Sequence, residues 1–145
     1  MARSLAALCL TLTLALFAAV PAAAAELVGP ADAQAVRSVV AAQLDALAAD
    51  DAERAFSYAA PAIRAQFRTP ERFMAMVRAG YPAVYRPATI TFLQPVRVEG
   101  QLVQGVHLTD AEGALWLAIY RLERQPDKSW RISGCDVRPG SGRLV

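Results

Sequence analysis

His107, Cys135 and Asp136 are the residues of this chain whose types could supply a base, a nucleophile and an orienting carboxylate. His107 is the single histidine, so general acid-base chemistry near neutral pH would run through it with a carboxylate or a tyrosine. Alternation along strands decides which of these groups can meet. A four-residue loop at 110–113 pairs Thr109 with Ala114, and hence His107 with Trp116, Gly105 with Ala118 and Val103 with Tyr120. That register gathers Leu102, Val106, Leu108, Leu115, Leu117 and Ile119 on the opposite face. Carried across a second loop at 125–128, it puts Trp130 and Ile132 with those aliphatics. Ser133 and Cys135 then stand beside Tyr120 and Ala118.

In this arrangement Asp136 turns away from His107. Cys135 lies two strands away, about 10 Å, since neighbouring strands are ~4.8 Å apart. The simpler readings are a hydrogen-bonded structural histidine and a buried thiol acting as a small hydrophobe. His107 stays as the one catalytic candidate. One histidine and one cysteine outside the leader cannot furnish a clustered zinc or copper site. No Gly-rich phosphate loop is present, and no cofactor is implied. Tyr81, Tyr85, His107, Trp116 and Tyr120 are the expected lining of a binding pocket, although a core or a subunit interface uses the same residue types.

The elements that hold these side chains follow from periodicity. Val36, Val39, Val40, Leu44 and Leu47 recur at helical spacing, predicting an amphipathic helix from Asp32 to near Ala49. Asp50 and Asp51 are read as the cap of a short helix bearing Phe56. Pro61 opens another helix with Ile63 and Phe67 four apart, and Thr69-Pro70-Glu71 starts a third carrying Phe73, Met76 and Val77, with Gly80 as its stop. The pattern then alternates. Turn signals at Glu99-Gly100, Asp110 to Gly113 and Gln125 to Lys128 divide the remainder into strands at 88–98, 101–109, 114–124 and 129–137. Pro95 marks the first as an edge or bulged strand. The expected class is α+β, with N-terminal helices packed on a four-stranded antiparallel meander.

Ala114 to Tyr120 is apolar on both faces, whereas one face of a small antiparallel sheet is normally wet. A partner subunit, an apolar ligand or helices on both sides would cover the second face. A homodimer through that face is therefore expected as one use of the sheet.

Arg3, the apolar run Leu5 to Val20, Pro21 and the stretch Ala22 to Ala25 have the form of a secretory signal peptide cut after Ala25, which predicts a periplasmic or secreted protein. About 16 apolar residues are fewer than the ~20 of a membrane span, and no other segment reaches that length. The reading divides the chain into a leader at 1–25, a linker at 26–31, one domain at 32–138 and a flexible tail at 139–145. With Cys9 in the leader, Cys135 has no internal disulfide partner. The formal charge of +2 is too small to argue for nucleic acid. Arg64, Arg68, Arg72, Arg78 and Arg86 nevertheless form a basic stretch that could meet an anionic ligand, and that reads more simply as a solvated face.

Val36 to Tyr85, with Gln43-Leu44, Asp50-Asp51, Ala55-Phe56, Ala60-Pro61, Phe67, Phe73, Met76-Val77 and Gly80-Tyr81-Pro82, resembles the bacterial family catalogued as Domain of Unknown Function 4864. The resemblance continues through Trp130-Arg131-Ile132 and Gly134-Cys135, and it implies no activity. Helices followed by a meander also resemble the nuclear-transport-factor-2-like superfamily, which implies a curved sheet and helices enclosing a cone-shaped pocket. Enzymes, ligand binders and dimerisation modules share such folds. The functional expectation is a non-catalytic exported domain that binds a small apolar or anionic ligand or dimerises. The alternative is a small hydrolase, isomerase or dehydratase using His107.

Overall fold

The computed structural model describes residues 26–141. The expected leader at 1–25 and the last four residues of the expected tail lie outside them. The described residues form five helices followed by most of one antiparallel sheet, an α+β arrangement. Helix α1 (Pro30–Ala48) starts two residues before its expected N-terminus because Pro30 occupies the first helical position, where a missing N–H costs nothing. Val36, Val40, Leu44 and Leu47 form its buried stripe, as their spacing predicts. Gln43 is buried among them.

Asp51 caps α2 (Ala52–Ser57), its Oδ1 accepting from the Arg54 N–H at 3.0 Å. Asp50 is not part of that cap. It adopts a left-handed φ of 55° and sends its carboxylate to Tyr85, Arg78 and Arg86 instead. Helix α3 spans Pro61–Phe67. Helix α4 (Pro70–Gly80) begins as expected, with Thr69 Oγ1 accepting from the Arg72 N–H. It buries Phe73, Met74 and Val77, while Met76 is only half-buried. A further turn, α5 (Pro82–Tyr85), follows after Tyr81, which caps both helices.

Six strands replace the expected four. They are β1 (Glu26–Leu27), β2 (Thr89–Phe92), β3 (Val96–Val98), β4 (Gln101–Thr109), β5 (Leu115–Arg124) and β6 (Trp130–Pro139). The order is β1-β3-β4-β5-β6, and β2 also pairs with β4. Two departures from the sequence reading explain the count. The span at 88–98 is broken at 93–95 around Pro95, and Gln104 Nε2 donates to the carbonyls of Leu93 (2.7 Å) and Gly105 (2.8 Å) across the break. The expected linker supplies β1, with Glu26 opposite Arg97 and Leu27 opposite Val96, before Pro30 enters α1.

The largest correction is to register. Thr109 pairs with Leu115, not Ala114, so His107 faces Leu117 and Trp116 faces Leu108. The hairpin closes through the Asp110 N–H on the Ala114 carbonyl at 3.0 Å and the Gly113 N–H on the Asp110 carbonyl at 3.0 Å. Gly113 takes a φ of 81°. This is a type I turn followed by a left-handed residue, a three-residue loop one shorter than assumed. Because side chains alternate, that single step exchanges the faces of β5.

Leu102, Gln104, Val106 and Leu108 of β4 therefore share the helix-facing side with Trp116, Ala118, Tyr120 and Leu122 of β5. Across β6 this face continues through Val137 and Cys135 to Ile132 and Trp130, with a bulge beside Arg121 and Leu122. It packs on α1, α2 and α4 to form one core. The outer face carries Val103, Gly105, His107, Leu115, Leu117 and Ile119, all half-buried and none within that core.

Candidate functional site

Between α3, α4 and the β5–β6 pair lies a cavity of about 330 Å³. Leu47, Val77, Val84, Tyr120 and Ile132 are its deeply buried members. Ile63, Phe67 and Met76 form an apolar rim from the helices, and Gln66, Arg121, Ser133 and Asp136 a polar rim. Its walls are held by aromatic packing. Phe73 contacts Phe56 with ring centroids 5.5 Å apart and meets Phe67 edge-on at 5.9 Å. On β6 the edge beside the cavity is anchored by the Ile132 N–H on the Tyr58 carbonyl and the Ala60 N–H on the Ile132 carbonyl, both at 2.8 Å.

Tyr120 lies 1% exposed, yet its hydroxyl has no hydrogen-bond partner among the described residues. The Cys135 thiol, directly across the strand pair, influences its titration but is at most a weak hydrogen-bond partner, and no nitrogen or oxygen among the described residues satisfies the hydroxyl. Burial holds the phenol well above its ordinary value. Burial likewise pushes the Cys135 thiol up to about 12, with the Tyr120 hydroxyl opposing part of that rise. Both groups are neutral at physiological pH, so the cavity presents a phenol and a thiol rather than charges. A buried hydroxyl without a partner forfeits its hydration without recompense, and such groups are rare in folded proteins.

Gln43 is the other buried polar side chain of the lining. Its Nε2 donates to the Ala55 carbonyl at 3.1 Å, tying α1 to α2. At the rim, Arg121 pairs with Asp136, which neutralises the nearest cation. Among the described residues, no three His, Cys, Asp or Glu side chains gather as a metal site requires.

The five expected pocket residues are divided among four places. Tyr81 and Tyr120 line the cavity. Trp116 lines a second hollow of about 360 Å³ with Tyr81, Pro82, Asp136 and Val137, so that Tyr81 and Asp136 border both spaces. Tyr85 belongs to neither. It donates to Asp50, and the guanidinium carbons of Arg86 and Arg78 sit 4.8 and 5.4 Å from its ring centroid. Two of the five arginines of the basic stretch are thus spent on Asp50, at 2.6 Å from Arg78 and 2.7 Å from Arg86. His107 is on the outer face, and no carboxylate or tyrosine hydrogen-bonds to it among the described residues.

Sequence reasoning left Gln43, Phe67, Met76 and Cys135 out of the site. Gln43 was detectable, because a glutamine on the buried stripe of an amphipathic helix needs a polar reason to be there. The expected register set Cys135 opposite Ala118 and on the His107 face, whereas the structure pairs it with Tyr120 on the side of the helices.

A family described as "Domain of unknown function (DUF4864)" matches residues 30–144, and the chain belongs to that family. No curated protein and no solved structure matches it. No helix among the described residues is long and apolar enough to cross a membrane.

Proposed function

We propose that this DUF4864 domain is a non-catalytic binding module of the cell envelope whose cavity takes an apolar group ending in an uncharged hydrogen-bond acceptor. The observation that carries this reading is the partnerless hydroxyl of Tyr120 at the cavity wall. An acceptor on a ligand would restore the bond that burial removed. A carboxylate is disfavoured at that depth, because no free cation compensates it there. The volume is within the range of small-molecule sites, and a pocket between helices and sheet is the place that a nuclear-transport-factor-2-like cone would use. Export follows from the leader, and amino-terminal sequencing of the secreted protein should begin at Glu26.

Tyr120→Phe tests the binding role. If the hydroxyl serves a ligand, the free protein gains about 1 kcal/mol of stability on losing an unsatisfied group. Co-purified mass seen by native mass spectrometry should fall at least tenfold. Lower stability with unchanged retention would sink the reading.

A second use is carried by the outer face. Leu115, Leu117 and Ile119 remain half-buried outside the core, which favours self-association through that face. Leu117→Arg should then convert a dimer to a monomer in sedimentation, and a monomeric parent protein would remove the case. The enzyme alternative has no comparable support, since His107 lies on the opposite side of the sheet from the cavity.

A further inference from the structure

The two hollows beside β6 flank a short length of strand edge with free backbone groups. Gly140 donates its N–H inward to the Leu115 carbonyl at 2.8 Å. Alternation along the regular part of the ladder therefore turns the N–H and C=O of Cys135 and Val137 outward, away from β5. None of these four groups has a partner among the described residues. The positions that flank them are blunted. Ile132 is bonded to Tyr58 and Ala60, and Pro139, the next outward position, has no N–H to offer. Proteins usually blunt such an edge; here it is blunted on either side of two residues and left open between them.

The side chains of the same two residues point to the helix-facing side. Cys135 lines the first cavity and Val137 the second hollow. They are two positions apart, about 6.8 Å along a strand. A strand laid on this edge would present its own alternate side chains at that same interval and on that same face. We propose that the occupant of the site is an extended peptide that anneals to β6 at Cys135 and Val137. One side chain would fill the cavity and the second-next would fill the hollow against Trp116. The first would be long and end in an acceptor, as Met or Gln does, to reach Tyr120. The proposal rests on the reading that the cavity accepts an apolar group, and adds backbone recognition to it.

The probe is a blocked pentapeptide, Thr-Val-Thr-Met-Thr, whose antiparallel register sets Met opposite Cys135 and Val opposite Val137. Its twin is N-methylated at the Met and Val amides, which removes the two donors and keeps every side chain. The uncharged dye N-phenyl-1-naphthylamine probes the apolar cavity without offering a peptide backbone. Binding of the plain peptide, slowed hydrogen exchange at the Cys135 and Val137 amides, and at least tenfold weaker binding of the methylated twin are expected. Equal binding of both peptides, or dye binding with no peptide binding, overturns strand addition and leaves the cavity reading standing. Failure of peptide and dye alike overturns both. Concentration-dependent protection of these amides without peptide would show a second copy of the chain to be the occupant and overturn the peptide assignment.

Discussion

The indole N–H of Trp116 donates to the carboxylate of Asp110 at 2.8 Å, from the first turn of one strand back to the last residue before the loop. The same carboxylate accepts from the backbone N–H groups of Ala114 (2.8 Å) and Glu112 (3.1 Å). One side chain thus gathers three donors and fixes the short β4–β5 loop, which in turn decides which face of β5 meets the helices. Asp110→Ala should lower Tm by several degrees, and Trp116→Phe by less, since the two backbone bonds remain. Thermal unfolding followed by circular dichroism would check the ranking. Equal stability of all three proteins would show that the loop is held by its backbone alone.

The same bonds make stability depend on acid. Asp110 is held below the ordinary carboxylate value of 3.8, first by Trp116 and then by the Ala114 N–H. Asp50 is lowered by the Tyr85 and Arg78 hydrogen bonds, and Asp127 by the Ser129 hydroxyl and N–H. A carboxyl that binds its proton less tightly when folded adds stability above its unfolded value, and that contribution disappears as pH falls through the folded value. Unfolding midpoints should therefore be steady above pH 5 and decline once pH passes below about 3.8. Asp50→Asn should flatten part of that decline. Because all three groups are solvent-accessible, high salt should weaken the dependence.

Helix positions were legible in the sequence wherever a local signal acts alone. Asp51, Thr69 and Pro70 set their helix starts through caps and fixed φ angles, with no help from distant residues, whereas Pro30 was read as part of a linker although it opens α1. Face assignment in the sheet was not legible, because period-two alternation in β5 is apolar on both sides and leaves loop length as the only discriminator. The loop was decided by Asp110, whose bond to Trp116 is a tertiary fact hidden behind an ordinary turn residue. Asp50 escaped for a related reason. Its partners Arg78, Tyr85 and Arg86 are 28 to 36 residues downstream, and nothing local distinguishes it from the neighbouring cap Asp51.

Two glycines of β6 and its end should respond differently to a methyl group. At Gly134 an added Cβ would meet Arg121 Nη2 at 2.5 Å, the end of a flexible side chain that is half in solvent. Gly134→Ala should release the Arg121–Asp136 pair and cost little, since exposed ion pairs contribute at most ~1 kcal/mol. At Gly140 the added Cβ would lie 2.6 Å from Leu115 Cγ and 3.3 Å from its backbone carbon. Neither atom can swing aside freely, so Gly140→Ala should cost about 1–3 kcal/mol as overpacking does. Urea unfolding of both variants would reveal the contrast, and a larger loss at Gly134 would contradict it.

Cys135 offers a readout of the cavity without knowledge of its ligand. Its thiol is pushed up to about 12 by burial, so at pH 8 almost none is thiolate, the form that reacts with iodoacetamide. Alkylation of the folded protein should be at least a hundredfold slower than in urea, and slower again when the cavity is filled. The same shift acts on stability with the opposite sign to the carboxylates. The unfolded chain loses this proton near the ordinary value of 9.0 while the folded chain keeps it, so the contribution is intact below pH 9 and drains away as pH climbs toward 12. Cys135→Ala should remove part of the alkaline decline while leaving the acid limb untouched. Cys135 as a whole is half-buried, so rapid alkylation at pH 8 would place the thiol itself in solvent and contradict its raised titration.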